Sequence, residues 1–158
     1  MKRLLALLIG CNCLEAKSII TEDFIDKVAI IESNYNYNAK GDNGKALGAW
    51  QMHQPAWREA CLYLANKGIS RETWLDFADC HKKFYNDSTL SRLVCKAYFE
   101  ILEKQMQKRK IKVTPIALYM AYNMGFQGAY DKSFDPNSFW LDSKRKSILA
   151  RANQILSR

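Results

Sequence analysis

The sequence predicts a mainly α-helical fold with one small β-hairpin. Three observations predict it. Apolar residues recur at helical spacing along most of the chain. Cap or first-turn residues stand at the starts of those stretches: Pro55, Ser70, Asp87 or Ser88, and Thr114-Pro115. The densest turn chemistry is confined to one segment, Asn34 to Gln54. At 158 residues, 48% hydrophobic and 25% charged, the chain can bury one substantial core and is short for two domains.

Taken in order, Thr21 to Ser33 reads as an amphipathic helix with Phe24, Ile25, Val28, Ala29 and Ile31 as its apolar stripe. Gly41-Asp42 and Asn43-Gly44 then mark the turns of the hairpin. A second helix starts near Pro55 and ends at Gly68, and Ser70 caps a third running to about Ala78. A long helix follows from Asp87 or Ser88, with Leu90, Leu93, Val94, Ala97, Tyr98, Ile101 and Leu102 as its expected buried face. Thr114-Pro115 opens another, which Gly125 terminates. The last helix is expected from about Pro136 to Leu156, with Phe139, Ile148, Ala152 and Ile155 turned to the core.

The first 16 residues need a separate reading. Met1-Lys2-Arg3 is basic, Leu4 to Ile9 is apolar, and Leu14-Glu15-Ala16 can end a signal peptide, which leaves 17–158 as the mature domain. Leu8-Ile9-Gly10-Cys11 also resembles a lipobox, which would make Cys11 a lipidation site and anchor the chain to a membrane. Both readings imply export to the periplasm, the outer membrane or the exterior. Without Cys11 and Cys13, three cysteines remain, and Cys61–Cys80 or Cys80–Cys95 are the disulfides they allow. No CxxC pair occurs and only two His are present, so no metal site is expected. The net charge of +8 favours an anionic partner. Much of that charge lies along Lys104 to Lys112 and Lys144 to Arg151, where a solvated helix face is the simpler reading than a nucleic-acid groove. Export argues further against nucleic acid.

Glu32 is out of place. It follows Val28 by four residues and Ile25 by seven, so it falls on or beside the buried stripe, in the last turn of its helix. Desolvation and the negative end of the helix dipole both disfavour its charged form. A carboxyl group held protonated near neutral pH is what general-acid catalysis requires. Two other segments carry chemistry: Gly48-Ala49-Trp50-Gln51-Met52 and Ala121-Tyr122-Asn123-Met124-Gly125. Gln51 and Asn123 offer donors and acceptors suited to hydroxyl and acetamido groups, and Trp50, Tyr119 and Tyr122 offer flat faces for pyranose rings.

The order Glu-Ser, Gly-x-x-Gln, Ala-Tyr-Asn-x-Gly resembles the lysozyme-like superfamily, in particular lytic transglycosylases and goose-type lysozymes. The resemblance spans roughly Phe24 to Tyr130. It implies packed helices and a hairpin flanking a saccharide cleft. It also implies cleavage of the β-1,4 bond between N-acetylmuramic acid and N-acetylglucosamine in peptidoglycan, by a monomer without a cofactor. By position, Glu32 would be the catalytic acid and then base, Ser33 and Tyr122 would orient it or the substrate, Gln51 and Asn123 would bind sugar, and Gly48 would supply backbone room. The Gly41-Asp42-Asn43-Gly44 stretch resembles the goose-type loop, which makes Asp42 a candidate second carboxylate. Where goose-type enzymes often carry a further Asp, this chain has His53. With Glu32 alone the expected outcome is transglycosylation; with Asp42 in reach it is hydrolysis. A wall-binding or secretion accessory protein without catalysis is the alternative from another class.

Overall fold

A computed structural model describes residues 18–68 and 70–158. Residues 1–16, with Cys11 and the expected signal, lie outside the described residues. Helix α1 (Glu22–Ser33) begins where Thr21 Oγ1 accepts a hydrogen bond from the Phe24 amide, 3.1 Å, and stops where Asn34 turns left-handed. Strands β1 (Lys40–Gly41) and β2 (Ala46–Leu47) pair antiparallel, Lys40 opposite Leu47, around a 3-10 turn at Asp42–Gly44. Then come α2 (Gln54–Asn66), α3 (Arg71–Ala78), α4 (His81–Phe84), α5 (Ser88–Lys108), α6 (Pro115–Met124), α7 (Phe126–Tyr130) and α8 (Ser143–Leu156). The described residues are therefore mainly helical, with one two-stranded sheet.

Local chemistry explains most of the boundaries. Asp87, Thr114 and Asp142 cap α5, α6 and α8 by accepting from the amides of Leu90, Ala117 and Arg145. Ser70 is different: it sits at the N-cap of α3 in a left-handed conformation and its hydroxyl caps nothing. Helix α5 packs against α2, α6 and α1, while α8 packs on α1 and α6. The core between them holds Ile25, Val28, Trp50, Trp57, Phe99, Leu118, Tyr119 and Leu149, all essentially inaccessible to solvent. Burial of each such side chain contributes roughly 1.5–3 kcal/mol.

Other expectations are corrected as well. Helix α5 turns Ser91, Cys95, Phe99, Glu103 and Met106 inward beside Val94, Ala97 and Leu102, whereas Leu93 is 42% exposed. A helix packed on three sides does not present the single stripe that periodicity assumes. The last helix starts at Ser143, not Pro136, and Phe139 is 84% exposed, outside the core; Ala152 is buried and Ile148 and Ile155 are partly so. Finally, Cys61, Cys80 and Cys95 are free thiols, so the Cys61–Cys80 and Cys80–Cys95 pairs are not formed. Cys61 and Cys95 are core residues of α2 and α5, and burial pushes the Cys61 thiol up to about 12.

Gly48 has a structural role distinct from the one expected. Its φ is +77°, and a Cβ there would stand 2.5 Å from the Tyr85 carbonyl oxygen. The room beside Gly48 is taken by the chain after α4, so it is not open to a ligand. Gly48→Ala should therefore combine a strained backbone with a backbone clash and lower stability by about 2–4 kcal/mol in chemical denaturation. A loss below about 0.5 kcal/mol would contradict this packing.

Candidate active site

Glu32 ends up half-buried one residue before the end of α1, with α8 packed on both α1 and α6. The Tyr119 hydroxyl, from the middle of α6, donates to Glu32 Oε1 at 2.9 Å. One turn on, Asn123 Nδ2 approaches the Tyr119 hydroxyl at 3.4 Å. Arg145, in the first turn of α8, donates to Asn123 Oδ1 and to the Asn123 backbone carbonyl. This fixes the amide: its oxygen is held by Arg145, so its nitrogen faces Tyr119 and Glu32.

The carboxyl group is pulled in two directions. Burial raises its pKa, while the donors Tyr119 and Asn123 and the charges of Arg145 and Arg151 favour the ionised form; burial wins and the pKa lies above the usual value. Burial and the neighbouring Glu32 charge push the Tyr119 phenol far upward, so it stays protonated and remains a donor.

The other motif residues divide by role. Gln51, Tyr122 and Asn123 line one cavity of ≈ 250 Å³ together with His53, Tyr98 and Gly125. Glu32 does not line it and connects to it through Asn123. Gln51 has φ +49° and spends its Nε2 on the Gly48 carbonyl, 2.8 Å, while its Oε1 occupies the space that a Cβ on Gly41 would fill. Ser33 and Tyr122 do not bond Glu32. The Ser33 hydroxyl donates to the Ala49 carbonyl at 2.8 Å, and the Tyr122 hydroxyl donates to the Trp50 carbonyl. The Trp50 indole is fully buried and donates to the Ile25 carbonyl at 2.9 Å, so it offers no face to a ligand. Asp42 stands exposed at the hairpin tip, 3.7 Å from His53 Nε2.

Arg145, Arg151 and the hydroxyl role of Tyr119 were not legible in the sequence. The i, i+4 spacing of Tyr119 and Asn123 was the signal that could have joined those two. Among the described residues no cluster of His, Cys, Asp or Glu could hold a metal ion. Comparison of the chain with protein-family models, curated proteins and solved structures gave no match.

A raised carboxyl pKa couples to stability with a definite sign. The folded protein binds the Glu32 proton more tightly than the unfolded chain does. Stability is therefore lost as pH rises from the ordinary value of 4.5 through the folded value. Glu32→Gln should melt above wild type once pH exceeds that window, and the two curves should converge at low pH. Parallel melting curves at every pH would contradict the assignment.

Proposed function

We propose that this chain is an exported peptidoglycan-cleaving glycosidase of the lysozyme-like class, acting as a lytic transglycosylase with Glu32 as proton donor and then acceptor. The observation that carries this reading is the Glu32 carboxyl group, raised in pKa by burial, ordered by Tyr119 and set beside a cavity walled by Gln51, Tyr122 and Asn123. A small cavity that sets the Gln51 and Asn123 side chains beside the Tyr98 and Tyr122 rings suits N-acetylated sugars. The +8 charge would help hold an anionic wall.

In this mechanism the protonated Glu32 gives its proton to the glycosidic oxygen as the bond from that oxygen to C1 breaks. The leaving sugar departs as an alcohol. The acetamido carbonyl oxygen of the substrate stabilises the electron-poor C1. The 6-hydroxyl of the same residue then attacks C1 and returns its proton to the Glu32 carboxylate, which closes a 1,6-anhydro ring and consumes no water. The hydrolytic alternative, with Asp42 as second carboxylate, has weaker support. Asp42 is exposed and sits beside His53, and it does not line the cavity of Gln51 and Asn123.

Digestion of purified sacculi followed by mass analysis tests the reading. Anhydro-ended products are expected. Reducing ends would favour the Asp42 route, and binding without any product would leave a non-catalytic wall-binding protein. Glu32→Gln should lower release at least about a hundredfold with the fold retained. Tyr119→Phe removes a donor that favours the ionised carboxyl, so the Glu32 pKa should rise further. The alkaline limb of the pH–rate profile should then move to higher pH; a shift to lower pH would contradict the role given to Tyr119.

A further inference from the structure

A second cavity, ≈ 780 Å³, opens between the hairpin and the segment that joins α3 to α4. Its walls are built. Gln54 Nε2 and the Trp57 indole tie the start of α2 to the end of α3 through the carbonyls of Ala78 and Phe77, at 2.9 and 2.8 Å. At its side lies His81, 1% exposed, with its ring 5.0 Å from that of Trp57. His81 Nε2 has no hydrogen-bond partner, the one buried side-chain nitrogen or oxygen so left among the described residues. A buried ring nitrogen without a partner is uncommon in folded proteins. Burial holds the His81 pKa down to about 4, with His53 and Lys82 adding in the same direction, so the imidazole is neutral and its ring reports on this wall.

The rim is cationic. Lys45, Lys82 and Lys83 line the cavity, and none of them pairs with a carboxylate among the described residues. The lining carboxylate, Asp79, is already engaged by Arg58 at 3.1 Å. The same wall carries the apolar surfaces of Leu47 and Pro55. His53 and Pro55 line both this cavity and the smaller one that holds Gln51 and Asn123, so the two are neighbours along one face.

We infer that this cavity binds the carboxylate-bearing peptide that branches from the glycan strand, with Lys45, Lys82 and Lys83 meeting its carboxylates and its backbone lying against the wall formed by Leu47, Pro55 and His81. The inference rests on the peptidoglycan reading above, which identifies the polymer; the cavity, its charge and its orphan nitrogen are independent of Glu32. Cationic rim, aliphatic wall and a volume within the usual range for small-ligand sites together suit an acidic peptide better than a bare inorganic anion.

The full chain is titrated with a soluble acidic stem tetrapeptide while the His81 imidazole nitrogens are followed by NMR. In parallel, cleavage of peptide-bearing strands is compared with cleavage of strands stripped of peptide. The peptide is expected to shift the His81 nitrogens, and the exposed double substitution Lys82→Glu, Lys83→Glu should weaken its binding about tenfold. The same variant should lower cleavage of peptide-bearing strands while leaving stripped strands unaffected. No shift at His81, an equal response to inorganic phosphate, or an unchanged ratio between the two strands overturns the proposal. If neither strand is cut yet the peptide still moves His81, the cavity assignment stands and the cleavage reading falls.

Discussion

Two adjacent peptide units, Ala49 and Trp50, hold the site together. The Ala49 carbonyl accepts from Ser33 at the end of α1, the Trp50 carbonyl accepts from Tyr122 near the end of α6, and the Trp50 indole donates back to Ile25 inside α1. Each bond is worth only about 1 kcal/mol net, but leaving any buried partner unpaired costs more than the bond contributes. The ends of two helices and the turn after the hairpin are thereby fixed to one point. Glu32 precedes Ser33 and Asn123 follows Tyr122, so the groups that carry the proposed chemistry are each one residue from an anchor. A half-buried carboxyl group needs such a frame, because small shifts of α6 or α8 would change both its solvation and its donors.

Around that frame, electrostatics and packing work against each other. Burial favours a neutral Glu32, while Tyr119, Asn123, Arg145 and Arg151 favour its anion. A group poised between the two forms can give a proton and take one back, as the proposed cycle requires. Arg145 acts at one remove: by holding the Asn123 oxygen it directs the amide nitrogen toward the site. Were the Arg145 charge placed directly against the carboxyl group, the ionised form would be fixed and the acid lost.

What could be read in the sequence was what local chemistry decides. Thr21, Asp87 and Thr114 cap helices through bonds spanning three residues, and Asn43-Gly44 turns the hairpin within its own four residues. The inward tilt of Glu32 followed from spacing along a single helix. Features set by distant partners were not legible. The inward face of α5 depends on three neighbouring helices, so periodicity placed Leu93 inside and left Ser91 and Glu103 out. Gly48 serves the Tyr85 carbonyl, 37 residues on by number, which no local rule anticipates. Arg145 stood in a run of basic residues that reads as a solvated face. His81 carried no signal at all, since a four-residue helix leaves too short a pattern to identify its buried side.

The proposed chemistry turns on Glu32, and its protonation can be observed without any substrate. Carbon-13 NMR titration of the Glu32 side-chain carboxyl group in the full chain, assigned through Glu32→Gln, measures it most directly. A midpoint above the ordinary value of 4.5 is expected. A midpoint at or below that value would mean that the donors outweigh burial, and Glu32 would then be ionised and unable to serve as the acid.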